Sequence, residues 1–236
     1  SSVLRTLSNK PVLNLGYGSN GPLIEYATLR EYLGPNVKNI LWVFYENDLS
    51  DINSELKSEI LQKYLLDLKF NQNLKSKQNQ IDELTAEKIE KSKKNVKKNI
   101  NTQFNFFRFI KLYKARTVLN NYLPERFKPY DQPPPIFKKV LKLAKNLSLK
   151  NNSNFYFVYL PGQYRYETKF SNNSYNEVKQ IVEELNIPFI DIHKEVFLKE
   201  IDPFKLFPFE MDKRHYHYNA DGYKKVAETI HKFITK

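Results

Sequence analysis

Apolar and polar positions change period several times along this chain, and each change marks an element. VLNLG (residues 12–16) is a short apolar run ending in glycine, which predicts a strand entering a loop. In GPLIEYATLREYL the apolar residues Leu23, Ile24, Ala27, Leu29 and Leu33 recur at helical spacing. Pro22 stands in the first turn of that helix, where its missing N–H costs nothing. GPNVKN breaks the helix, and ILWVFY (Ile40 to Tyr45) follows as a near-continuous apolar strand. A strand–helix–strand series of this kind implies a parallel sheet with right-handed crossovers.

The character changes between about residues 50 and 135. ELKSEILQKYLLDLKF is amphipathic and helical, whereas QIDELTAEKIEKSKKNVKKN is highly charged, with six lysines between Lys88 and Lys98. TQFNFFRFIKLYKARTVL supplies an aromatic helical face, and DQPPPIF closes the region with three consecutive prolines. Alternation then resumes: IFKKVLKLAKNLSLK as helix, NFYFVYLPG as strand and loop, NNSYNEVKQIVEELN as helix, IPFIDIH as strand. A last helix from Ala220 carries Val226, Ala227, Ile230 and Ile234. The expected fold is α/β: a doubly wound, flavodoxin-like parallel sheet in three layers (α/β/α). It forms one domain over residues 1–236, with a helical, lysine-rich insertion at about 50–135.

Composition narrows the picture only a little. The 236 residues, 41% hydrophobic and 27% charged, suit one globular domain. No run of 18 apolar residues exists, so no transmembrane segment is expected, and zero cysteines exclude disulfides and thiolate metal sites. The formal net charge of +12, from 38 basic and 26 acidic residues, comes mostly from lysine. Solvated lysine faces explain it better than a nucleic-acid or anionic-lipid footprint, so nucleic acid is not expected as a partner. Lysine interleaved with Phe and Tyr in the insertion is the feature that would favour nucleic acid; helix packing explains those aromatics as well.

Ligands in open parallel sheets bind at the carboxyl ends of the strands, and three polar loops are expected there. LGYGSNGP, with glycines 16, 18 and 21, allows close backbone approach; it matches neither dinucleotide nor phosphate-loop patterns, and a tight connector is the plain alternative. In YENDLSD, Asn47 and Asp48 directly follow the strongest strand. An Asn amide there can donate to a developing oxyanion, or simply cap the next helix. DKRHYHYNADGY places His215 and His217 ahead of the last helix, where a histidine can act as general base if a carboxylate orients it. Metal ligation by the two histidines lacks further ligands, so neither metal nor cofactor is expected; His193 and His231 read as ordinary strand-end and helix-surface residues.

Together the three loops resemble the blocks of the SGNH/GDSL hydrolase family, named for a Ser nucleophile, an oxyanion Gly, an oxyanion Asn and a catalytic His. VLNLGYGSNGPLIEYATLREYL resembles the second block with its following helix, and ILWVFYENDLSD resembles the third, usually GxND, which makes Asn47 the oxyanion asparagine. HYHYNADGYKKVAETI resembles the last, in which His is followed by x-N-x-x-G; Asn219 and Gly222 select His217 in that register. The resemblance covers the chain ends and central strands and leaves the insertion outside.

Three departures accompany it. The family places Asp three residues before the His, where this chain has Arg214; Asp212 stands three before His215, so an Asp212–His215 pair is the alternative to His217 oriented by Asp212. Ser19 stands where the second block usually has Gly, and Tyr45 replaces the glycine of GxND. The first block, with its nucleophilic Ser, is not found in residues 1–236; the expectation is a nucleophile upstream of Ser1 and an isolated chain that is inactive.

The resemblance implies two-step acyl transfer: Ser attack on an ester, His217 and Asp212 as base and orienting acid, and Asn47 with the N–H groups of Gly18 and Ser19 around the oxyanion. The expected substrate is a small-molecule or glycan ester, a carbohydrate O-acetyl group included. The alternatives are acyl transfer to a polysaccharide by the same residues, and a non-catalytic binding protein on this scaffold with a basic surface. Oligomeric state and compartment, bacterial cytoplasm or cell envelope, are left open.

Overall fold

The structure, a computed structural model, describes residues 1–18, 20–101, 132–166, 174–207 and 217–235, with side chains described only to residue 93 within 20–101. The chain divides into two compact units, Ser1–Phe70 with Pro129–Lys236, and Asn71–Lys128. Among the described residues the first unit is mixed α/β, built on three parallel strands in the order β1 (Asn39–Tyr45), β2 (Asn154–Leu160) and β3 (Phe189–Asp191). Asn39 pairs with Asn154 and Tyr45 with Leu160, while Phe157, Val158 and Tyr159 pair with Phe189, Ile190 and Asp191.

Successive strand side chains point to opposite faces, and the two faces feed different hydrophobic clusters. Ile40, Trp42, Phe44, Phe155, Phe157 and Tyr159 pack with α2 (Pro22–Tyr32), α3 (Asp48–Glu55), α6 (Pro135–Lys150) and α7 (Ser174–Glu184). Val158 and Ile190, with Leu41 and Tyr156, pack with α1 (Ser2–Ser8), the short α8 (Ile192–Glu195) and α9 (Ala220–Ile234). The apolar strands seen in the sequence are therefore strands because both faces have something to bury against. Between α3 and Phe70, α4 (Glu59–Leu66) adds Leu65 to the first cluster, and Ser58 caps it by accepting the Leu61 N–H at 3.4 Å.

VLNLG departs from its expectation. Residues 11–17 form no strand, and Leu13 is 72% exposed. The cause is local. Arg5 donates from Nε (2.9 Å) and Nη2 (2.7 Å) to the Val12 carbonyl, and Asn14 Oδ1 accepts the Gly16 N–H at 3.1 Å. Side chains thus engage backbone groups that a sheet ladder would need.

Arg30 of α2 closes the first unit's exit. Its Nη1 donates to the carbonyls of Tyr64 (2.7 Å) and Asp67 (3.1 Å), and its Nη2 to those of Leu68 (2.9 Å) and Phe70 (2.5 Å). In the second unit the described part is α5 (Gln78–Asn101), carrying the exposed helical pairs Lys91–Glu87 (2.6 Å) and Lys93–Glu90 (2.8 Å). The aromatic part of the insertion, residues 102–131, lies outside the described residues. No helix among the described residues is long and apolar enough to cross a membrane.

Candidate active site

The carboxyl ends of the three parallel strands lie on one edge, and polar side chains gather there. β1 ends at Tyr45, and the chain turns through Glu46 and Asn47 into α3. Asp48 makes the turn, its Oδ2 accepting the Tyr45 N–H at 2.7 Å. Asn47 occupies the N-cap position, but its side chain makes no capping bond. The capping explanation for this asparagine is therefore not realised, and its partly exposed amide is not engaged in holding α3.

His217 reaches the same edge by a different route. Tyr218 beside it is buried and donates its hydroxyl to the Pro161 carbonyl, just past β2, at 2.7 Å. Asn219 then caps α9: Oδ1 accepts the Gly222 N–H at 2.9 Å, while Nδ2 donates to the carbonyls of Lys205 (2.7 Å) and Phe207 (3.2 Å). Gly222 is required by close approach, since a Cβ there would lie 2.7 Å from the Leu206 carbonyl oxygen. With these anchors the exposed His217 ring sits beside Tyr45, centroids 6.5 Å apart. Asn47 lies two residues beyond that tyrosine.

Of the remaining candidates, Ser19, Asp212 and His215 lie outside the described residues. Gly18 is exposed, and nothing lies within 4 Å of the place its Cβ would take. Among the loop glycines the close approach belongs to Gly21, whose Cβ would meet Asp51 Cβ at 2.7 Å and Glu55 Oε2 at 2.8 Å.

Two groups of acidic side chains flank the edge. Glu46 is saturated: Oε2 accepts the Gly162 N–H at 2.8 Å, Oε1 accepts Arg165 Nε at 2.5 Å, and the Tyr159 hydroxyl donates to it. The Arg165 guanidinium lies against the Tyr175 ring (5.0 Å), and the Tyr175 hydroxyl donates to Asp191. On the other side, burial pushes the Asp48 carboxyl up to about 8, against the pull of the Tyr45 N–H, with Asp51 and Glu55 adding repulsion. Glu25 is also held well above the usual carboxylate range by burial, then by Asp48 and Glu55, and its buried Oε2 has no hydrogen-bond partner among the described residues.

His193 is more than the strand-end residue its sequence position suggested. It lies in α8, two residues past the end of β3, with Nδ1 2.9 Å from the Tyr166 hydroxyl; burial, then Arg165, pushes its pKa down to about 4. That keeps it neutral at physiological pH. No sequence signal marks it, because Tyr166 and Arg165 reach it across 27 and 28 residues.

In comparisons with protein-family models, curated proteins and solved structures, nothing matches this chain.

Proposed function

We propose that this protein is an SGNH/GDSL-type serine ester hydrolase acting on a small-molecule or glycan ester, with His217 as general base. The observation that carries the reading is the meeting of His217 with the end of β1, two residues before an asparagine that takes no part in capping. A flavodoxin-like, doubly wound sheet belongs to the same proposal. The division of the strand side chains between two clusters supports it, with α2, α6 and α7 in one and α1 and α9 in the other. Among the described strands the order β1–β2–β3 runs one way, with both crossovers through α6 and α7 of the first cluster, so the reversal that gives such folds a crevice at the strand ends belongs to the proposal.

In this mechanism a serine from the family's first block attacks the acyl carbonyl, and His217 takes its proton, oriented by Asp212. Asn47 and the N–H groups of Gly18 and Ser19 hold the oxyanion. It collapses as the alcohol leaves with the proton from His217, and water, deprotonated by the same histidine, then attacks the acyl-serine and releases the acid and the free serine. An exposed histidine suits a base that must meet both nucleophile and substrate. The test is hydrolysis of an aryl acetate and labelling by a fluorophosphonate. His217→Ala is expected to lower kcat by about 10³-fold or more, with unchanged folding by circular dichroism. An unaltered rate in that variant would remove His217 from the chemistry.

A further inference from the structure

We propose that Glu55 is a positioning residue, whose carboxylate fastens the glycine loop to the helix that presents Asn47. Glu55 closes α3 and is only 4% exposed. Its Oε1 accepts the N–H groups of Gly21 (2.9 Å) and Ile24 (3.1 Å), and its Oε2 that of Leu23 (3.0 Å). Pro22 has no N–H to offer, so one carboxylate serves every N–H from Gly21 to Ile24 at the start of α2. A helix start is ordinarily capped by its own Ser, Thr, Asp or Asn. Here the N-cap is Gly21, where no side chain fits against Asp51 and Glu55. The cap therefore comes from 31 to 34 residues away, and it binds two elements together instead of finishing one.

The significance of that tie rests on the proposed hydrolase reading, because the two elements carry the candidate oxyanion donors. Gly18 lies three residues before Gly21 on the loop, and Asn47 is the N-cap of the helix that ends in Glu55. α3 has only eight residues, so Asn47 and Glu55 stand at opposite ends of one short rigid rod. Through that rod Glu55 fixes where the loop stands relative to the amide of Asn47.

The experiment is ¹⁵N NMR and amide hydrogen exchange on this chain, for the native protein, Glu55→Gln and Glu55→Asp. In Glu55→Gln, exchange at Gly21, Leu23 and Ile24 is expected to quicken by about 10-fold, as for loss of one charge-assisted bond. The Gly18 N–H and the Asn47 side-chain amide should shift in the same variant. Glu55→Asp keeps the carboxylate and should restore part of both effects. Faster exchange at the three amides with Gly18 and Asn47 unmoved would overturn the proposal and leave Glu55 a helix cap only. In the ester-hydrolysis assay the matching result is a lower kcat with KM unchanged. If His217→Ala proves fully active, the hydrolase reading fails, while the NMR result still decides whether Glu55 sets the relation of loop and helix.

Discussion

Glu46 and Asp48 stand two residues apart on the same turn, and their surroundings treat negative charge in opposite ways. Glu46 meets a guanidinium, a tyrosine hydroxyl and a backbone N–H. Asp48 meets one backbone N–H and three acidic neighbours, Glu25 on α2 and Asp51 and Glu55 on its own helix, while Tyr164 approaches from the turn after β2. A buried charge persists where partners compensate it, and where they do not the group keeps its proton. The sheet edge is thus divided into an ion-paired side toward β2 and β3 and a protonated side toward α2. Asn47 lies in sequence between the acids that define them.

The strongest way to break this contrast is to remove the cation. Arg165→Met leaves Glu46 buried without its countercharge and is expected to destabilise the chain by about 3–5 kcal/mol, measured by urea unfolding. On the protonated side the sign is reversed. Between pH 4 and 8 the folded chain holds the Asp48 proton while an unfolded chain, with a carboxyl pKa of 3.8, has released it. The native state therefore binds more protons, and this group's contribution makes stability fall as pH rises through that window. Asp48→Asn, which keeps an acceptor for the Tyr45 N–H and cannot ionise, should flatten the slope and raise stability at pH 8. A pH dependence of stability that is the same in Asp48→Asn as in the native protein would contradict the protonated side.

His193 supplies the smallest effect, with the opposite sign. Its folded pKa of about 4 lies below the 6.5 of an unfolded histidine, so the unfolded chain binds more protons between these values. Stability from this group rises with pH across the window and is fully present above it. In His193→Gln that rise should vanish, and in Arg165→Met the histidine should titrate closer to 6.5 by NMR, since Arg165 follows burial among the causes of its depression.

Much of the fold was legible because parallel strands packed on both faces are apolar along their whole length, as NILWVFY and NFYFVYL are. VLNLG has the same look. What keeps it out of the sheet is Arg5, seven residues back, holding the Val12 carbonyl, and no period of apolar residues encodes such a bond. The Asn219 and Gly222 that follow His217 have a structural reason of their own: Asn219 caps α9 and Gly222 makes room for the Leu206 carbonyl, so both positions are constrained whatever the histidine does. Glu55 was invisible in the sequence. It reads as one more acid at the end of an amphipathic helix, and its partners lie more than thirty residues upstream.

Arg30 bears on how a chain of this kind can vary from one generation to the next. The four carbonyls in its grip run from the end of α4 to Phe70, the last residue of the first unit's N-terminal part. Their hydrogen-bonding demand is met inside that unit, whatever sequence comes next. Closing a longer loop costs only about 0.6 kcal/mol for each doubling of its length. A change of length beyond Phe70 therefore leaves the four carbonyls that Arg30 holds satisfied.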